Sequence, residues 1–402
     1  MLTSAANASE RPLRVLCCSG SLEGGGSERQ LWQLTSQLDR KQFAPSVYLL
    51  YRRGHYLEKL ADDVDVTAFW TEYEESRRYW PGQIRGLQIH HLSQVLRAQR
   101  IDVVYDRTFH MTLITARACR RAGIPRVSTI VSPPSSDFQH SRERFRFLKR
   151  RILASAYRDP SCVTIAVSEE VADDAAAFYR LNRSQIKVLC NPVDIEALRA
   201  AANQPINIDS KQESAAVNAD MRIAVVGRLT HEKGQRLAIE ALQLAQPMCS
   251  RTLHLDIIGD GPDRVQLEQL ATQLGVRRQI SFHGFLPNPY PWIKRSHLLC
   301  IPSKYEGLPN VALEAMCLGT AVVATNCSGS LRALIGNNER GKLVPLGDAT
   351  SLAREFALAS QSENNERTSQ ELATAWVEQH HALSNWLTSM QRILCARASA
   401  GR

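Results

Sequence analysis

Long apolar runs are missing from this 402-residue chain. No stretch approaches the ~18 consecutive apolar residues of a membrane span. The opening MLTSAANASERPLRVLCC has no apolar segment of signal-peptide type ahead of the first strand, so a cytoplasmic protein is expected. Paired cysteines are missing too. Ten are scattered, several inside predicted strands (Cys17, Cys18, Cys300), and none forms a CxxC. That argues against a disulfide framework or a zinc site and for reduced core thiols. No GxGxxG follows the first strand, and no acid ends a second strand at the distance a dinucleotide requires. This speaks against a nicotinamide-linked dehydrogenase. No recognised nucleic-acid module is present either.

What is present is an ordinary globular composition, 44% apolar and 22% charged, with a net charge of +9. The length suits two domains. The positive balance points to an anionic partner: nucleotide phosphates, nucleic acid or a lipid surface.

The most informative stretch is 303–325, SKYEGLPNVALEAMCLGTAVVAT. The apolar run 297–301 ahead of it reads as a buried strand, and 321–324 as another. Between them lies a turn-rich loop with Glu306, Gly307 and Leu308. A helix then opens at Pro309 and closes at Gly319. The amides of Asn310, Val311 and Ala312 would sit at the positive end of that helix, where a phosphate binds readily. Glu306 and Glu314 flank this end. Either both carboxylates face one crevice at the carboxyl edge of a parallel sheet, or they are a solvated loop acid and a surface helix acid.

The first half reads as strands at 13–18, 47–51, 103–105, 126–131, 162–167 and 188–190. Gly24, Gly25 and Gly26 form a loop after the first strand, with Ser27 as the N-cap of the next helix. The glycines serve either a sugar or phosphate, or only a tight turn. The strand at 103–105 delivers Asp106, Arg107 and His110 to the sheet edge. Residues 141–157, SRERFRFLKRRILASAY, read as a basic amphipathic helix with Phe145, Leu148 and Ile152 on its apolar face. It either lies against anionic headgroups or packs as a solvated helix. Residues 201–220 are polar and read as a linker.

The second half repeats the α/β alternation with strands at 223–226, 253–258, 280–283 and 342–344. Gly227 bends the chain after the first of these, and Arg228 and Lys233 project from the loop. A forked guanidinium and a point-charge ammonium suit a departing diphosphate, or they are two solvated cations. His283, Gly284 and Phe285 reach the sheet edge. Asp348 is the predicted cap of a helix over 349–359, and a last helical segment spans 368–397.

Taken together, GGGSERQ, NPVD, GRLTHEKG, HGF and the Glu306–Glu314 stretch resemble the retaining glycosyltransferases of family 4, strongest over 222–344. The resemblance implies the α/β GT-B fold, with two Rossmann-like domains facing across a cleft. Residues 1–200 would bind the acceptor, 201–220 link, and 221–375 bind a nucleotide-sugar, with a helix at about 376–402 returning to the first domain. It implies transfer from a UDP-sugar, or from GDP-mannose, to a glycan or lipid-linked acceptor in envelope polysaccharide synthesis. Arg228 and Lys233 would hold the diphosphate and Asn310–Ala312 would cap its terminal phosphate. Glu314 would take the ribose and Glu306 the transferred sugar, and the backbone of His283–Phe285 would border the base. Gly25 and Gly26 belong to the donor set, with Gly227, Gly307 and Leu308. No metal or cofactor is implied, since Arg, Lys and the helix end neutralise the charge. The chain is taken to lack a DxD, which agrees with that. The sequence departs from the family at Val131, where many members have His, and at Tyr105 and Arg107. His110 fits a second family pattern, which makes it the catalytic candidate of the first domain. The rival reading is a nucleotide-sugar-binding protein without catalysis.

Overall fold

A computed structural model describes residues 11–23, 25–72, 80, 82–140, 145–206, 221–361 and 367–399. Gly24, residues 141–144 of the basic helix and 207–220 of the predicted linker lie outside them. The chain forms two compact units, residues 1–190 with 384–402, and residues 191–383.

The first unit holds a seven-stranded parallel sheet: β1 Leu13–Ser19, β2 Phe43–Leu49, β3 Asp65–Ala68, β4 Val103–Arg107, β5 Arg126–Ile130, β6 Cys162–Ala166 and β7 Ile186–Val188. The order is β3-β2-β1-β4-β5-β6-β7, with Val15 beside Val103. β3 was absent from the sequence reading. Its four residues alternate too little to stand out. Leading into it runs Asp63-Val64-Asp65, so the expectation that the chain lacks a DxD is wrong; Asp63 pairs with Arg40 at 2.6 Å.

The second unit holds six parallel strands: β8 Met221–Val226, β9 Leu253–Ile258, β10 Ile280–Gly284, β11 Leu298–Ile301, β12 Ala321–Thr325 and β13 Lys342–Val344. Their order is β10-β9-β8-β11-β12-β13. In both units helices return the chain between parallel strands, so both sheet faces are covered and the strands read as near-continuous apolar runs.

Several local expectations change. The helix Gly26–Gln37 is capped by Gly25, not Ser27, and has no side-chain cap. Pro309 is the cap of the helix Asn310–Cys317 rather than its first residue. Asp348 does cap the 349–361 helix, accepting from the Ser351 amide at 2.9 Å. The C-terminal helix is two, Arg367–His381 and Leu383–Ser399. The break at Ala382 lets the chain bridge to Val193, with the Val193 amide donating to the His381 carbonyl at 2.7 Å. The basic helix runs Arg146–Tyr157 and buries Leu153, Ala154, Ala156 and Tyr157. The expected stripe is therefore wrong at its start: Phe145 is 71% exposed and Leu148 56%. The helix docks its apolar side by its last two turns, while Arg146 and Arg150 in its opening turns reach the Phe138 and Phe178 carbonyls.

Each unit also buries a polar network. In the first, Asp106 is fully buried and accepts from Thr112 Oγ1 (2.7 Å), Thr115 Oγ1 (2.7 Å) and Ser128 Oγ (2.8 Å). Burial pushes its carboxyl above the usual range, against the pull of Arg126 and the three hydroxyls. Arg126, 1% exposed, donates to Ser128 Oγ and to the Ala156 carbonyl, tying the sheet to the basic helix. In the second, Asp256 is fully buried. His283 Nε2 lies 2.7 Å from its Oδ1, and Arg222 donates to its Oδ2 at 3.0 Å. Burial works to raise this carboxyl, but the hydrogen bond from His283 and the charges of His254, His283 and Arg222 hold it below the usual range. His254 bonds Ser281 Oγ at 2.9 Å. Burial, with lesser help from Arg222, His283 and Arg295, lowers the His254 ring to about 4 against the opposing pull of Asp256.

Asp106→Ala strands three hydroxyls and the Arg126 charge. It should cost the first unit about 3–5 kcal/mol, read as an early transition in urea. For His254 the folded state binds its proton less readily than the unfolded chain. Its contribution is complete above the ordinary 6.5 and is lost as pH falls toward about 4. Stability should fall by up to about 1.4 kcal/mol per pH unit in that window. His254→Gln should flatten the slope, and an unchanged slope would contradict the assignment.

Candidate functional site

In a parallel sheet the crevice for a ligand lies where the strand order reverses, outside the carboxyl ends of the two strands there. In the second unit those strands are β8 and β11. The loop after β8 carries Gly227, Arg228 and Lys233, and the loop after β11 carries Ser303, Glu306, Gly307 and Leu308. Residues some 70 positions apart in sequence therefore meet. Lys233 Nζ donates to Glu306 Oε1 at 2.7 Å, and Ser303 Oγ donates to the same oxygen at 2.7 Å. The Glu306 side chain is 10% exposed, so it is a seated carboxylate and not a solvated loop acid.

The close approach of the two loops needs Gly234. Its φ is +65°, and a Cβ there would stand 2.1 Å from the Pro302 carbonyl oxygen. The loop after β11 is pinned from below as well. Ser330 Oγ donates to the Gly307 carbonyl, and Thr325 Oγ1 donates to the Ser303 carbonyl.

The helix Asn310–Cys317 opens into the same crevice with no side-chain cap and no acid in its first turn. Its dipole is thus left for an external anion. The Ala312 amide is partly used, donating to the Pro309 carbonyl at 3.1 Å. Asn191 fixes the start of this helix: its Nδ2 donates to Asn310 Oδ1 at 2.9 Å. The Asn191 carbonyl in turn meets His381 Nδ1 at 2.7 Å. Glu314, on the same helix, is 5% exposed, so it is not a surface acid.

Arg228 is not brought to Glu306. Its side chain is 79% exposed, with Glu232 at 3.8 Å as its nearest acid. His283 spends its ring on Asp256 and on Trp292, 3.9 Å away centre to centre. The His283 ring is therefore not offered at the edge, whereas Phe285 is 55% exposed. There Gly259 donates its amide to the Gly284 carbonyl at 2.8 Å, and a Cβ on Gly259 would meet the Gly227 carbonyl at 2.0 Å. Three glycines from β8, β9 and β10 thus lie side by side, a backbone floor that a flat ligand can approach. Gly259, Ser303, Ser330 and Asn191 were not singled out as site residues by sequence reasoning. The glycine pair in GDG after β9, and the serine directly after β11, were the available signals.

In the first unit the order reverses between β1 and β4. The loop after β1 carries Gly25 and Gly26, and His110 stands in the first turn of the helix Phe109–Ala122 after β4. Thr108, just before it, has φ +70° and ψ 144°, a conformation that costs a non-glycine residue of order 1–3 kcal/mol and recurs at functional sites. Burial, then Lys149 and Arg85, lower the His110 ring, which keeps it a neutral proton acceptor near pH 7.

Residues 24–197 match the family model described as Glycosyltransferase Family 4, and residues 206–378 match Glycosyl transferases group 1. A Campylobacter jejuni N-acetyl-D-galactosaminyltransferase acting on GalNAc-alpha-(1->4)-GalNAc-alpha-(1->3)-diNAcBac-PP-undecaprenol is 25% identical over 88% of this chain and 90% of its own. The 2-deoxystreptamine glucosyltransferase of Streptomyces kanamyceticus is 28% identical over 72% and 71%. Among solved structures, Anabaena Alr3699/HepE in complex with UDP and glucose superposes with a TM-score of 0.79 at 21% identity, covering 96% of this chain and all of that one. WaaG, a glycosyltransferase of lipopolysaccharide biosynthesis, gives 0.73 at 17% identity, over 94% and 99%. Two parallel-sheet units, each with its crevice at a strand-order reversal, and two family models spanning both halves place this chain among the glycosyltransferases of the GT-B fold, family 4 in its first half and group 1 in its second.

Proposed function

We propose that this chain is a retaining, metal-independent glycosyltransferase that takes a sugar from a UDP-sugar and passes it to a glycan or lipid-linked acceptor of the cell envelope. The observation that carries this reading is the Lys233–Glu306–Ser303 cluster beside the uncapped 310–317 helix. A diphosphate at that helix end has an ammonium within reach, and the exposed Arg228 guanidinium can turn in to join it. The cations and the helix dipole then carry the charge of the leaving group. Glu306 lies beside the transferred sugar and Glu314 takes the ribose. The bond from sugar C1 to the phosphate oxygen breaks, the acceptor hydroxyl oxygen bonds C1 on the same face, and its proton passes to the departing phosphate. The UDP and glucose of the Anabaena neighbour and the lipid-linked substrate of the Campylobacter relative support donor and acceptor class. The compact units 1–190 and 191–383 are the acceptor and donor domains of this reading.

We place the enzyme as a peripheral visitor to anionic membranes. No helix among the described residues is long and apolar enough to cross one. The 146–157 helix instead leaves Phe147 70% and Leu148 56% exposed among arginines.

UDP should raise the melting temperature and GDP should not. Lys233→Ala should lower the rate about 100- to 1,000-fold. Glu306→Ala should chiefly lower kcat, and Glu314→Ala chiefly raise donor KM. Activity should survive EDTA, and NMR of the first-formed product should show the donor's anomeric configuration. An inverted product, or unchanged kinetics in Lys233→Ala, would overturn the reading. Co-sedimentation with anionic vesicles should weaken with salt and in Arg151→Glu, each basic residue near the surface being worth about 1 kcal/mol. Absence of co-sedimentation at low salt would remove the membrane contact.

A further inference from the structure

The first unit carries an open surface groove that the donor-site roles leave unused. It measures about 320 Å³ and lies against the first turns of the 146–157 helix. Its walls are aromatic and cationic: Phe138, Phe147 and Phe178 with Arg146 and Arg150, and Gln139 at the edge. Both guanidinium groups are tethered by a backbone carbonyl. Arg146 Nη1 donates to Phe138 O at 2.9 Å, and Arg150 Nε to Phe178 O at 2.8 Å. The Arg150 guanidinium also stands 4.5 Å over the Phe178 ring. Among the described residues neither arginine pairs with a carboxylate. The nearby acids are engaged by their own loops: Asp137 accepts from Ser132 Oγ, and Asp174 accepts from the Ser135 amide and hydroxyl at 2.9 and 2.5 Å.

Residues 146, 149 and 150 share one face of their helix, by the i, i+3, i+4 spacing. Three cations in the opening turns of a helix oppose its dipole, and the first turn itself holds no acid. Such a local conflict is what a functional site leaves in an otherwise consistent sequence. An anion held there would offset it.

The groove is also connected to the candidate acceptor side. The His110 ring lies 3.9 Å from Phe109, Phe109 lies 5.5 Å from Phe138, and Phe138 lies 5.2 Å from Phe178. This line of rings runs from the groove to the residue placed at the carboxyl end of β4.

We infer that the acceptor of this transferase is an anionic sugar compound, whose charged group is held by Arg146 and Arg150 in this groove and whose neighbouring sugar lies along the Phe178–Phe138–Phe109 rings toward His110. The inference rests on the transferase reading and adds the chemical class of its acceptor. The shared chemistry is a sugar bearing a fixed negative charge. That charge comes either from a uronate residue of an acidic glycan or from the diphosphate of a lipid carrier.

The test is calorimetric titration of the full chain, without donor, with three probes: a galacturonate trisaccharide, the neutral galactose trisaccharide, and N-acetylglucosamine linked through diphosphate to farnesol. At least one anionic probe should bind about tenfold or more tightly than the neutral one, and its affinity should fall with salt. Arg146→Gln and Arg150→Gln should each weaken it about fivefold or more, while Arg150→Lys, keeping the charge, should recover part of the loss. Tight binding of the trisaccharide assigns an acidic glycan, and of the farnesyl compound a lipid diphosphate. Equal binding of charged and neutral probes, no binding of either anionic probe, or indifference to both arginine variants would overturn the inference. Melting temperature with UDP, measured on the same samples, separates the outcomes. A UDP shift without anion binding removes the acceptor site alone, and anion binding without a UDP shift removes the donor reading alone. A retained UDP shift in each variant also shows that it is folded.

Discussion

The candidate donor site depends on one topological constraint, the reversal of strand order between β8 and β11. Crossovers that leave on opposite faces cannot close the gap between these two strands at their carboxyl ends. Loops at that gap must face each other. Everything chemical in the second unit follows from this, beginning with the ion pair of Lys233 and Glu306. The gap also explains why Gly234 is a glycine. The two loops come so close that a single methyl group would collide with the Pro302 carbonyl.

The electrostatics of the site are set by an uncapped helix end and a seated carboxylate. The 310–317 helix starts without a side-chain cap, and the acid on the loop before it is already occupied by Lys233 and Ser303. In the donor reading proposed above, an incoming diphosphate would compete with Glu306 for the Lys233 ammonium, and Ser303 would remain to hold the carboxylate. His283 shows the opposite use of a polar residue. Its ring is committed to a fully buried Asp256.

The basic helix divides its labour by face. Its last two turns pack through Leu153, Ala156 and Tyr157, its first turns carry Arg146, Lys149 and Arg150 with Phe147 at the rim of the same groove, and Leu148 is 56% exposed. The buried Arg126, bonded to the Ala156 carbonyl, anchors this helix to the sheet. A firm anchor at one end is what permits an electrostatically awkward other end.

Much of this was determined by the sequence alone. Apolar runs such as 253–258 and 298–301 lie inside a sheet covered on both faces, so continuous hydrophobicity identified them, with only His297 of the second run falling outside. The glycines, Lys233, Glu306 and the helix after Pro309 were legible because backbone bends and anion binding require particular residue types. Tertiary structure decided what local pattern cannot encode. The four-residue β3 gains its pairing from β2, and the break at Ala382 comes from its bridge to Val193. Asn191, read as a boundary, proved to brace the helix at Asn310 through a contact 119 residues away. The face of the basic helix was misjudged because two apolar stripes compete along it, and only the docking against its neighbours selects which one is buried. Side-chain type states what a residue can do, and the fold alone states which partner it meets.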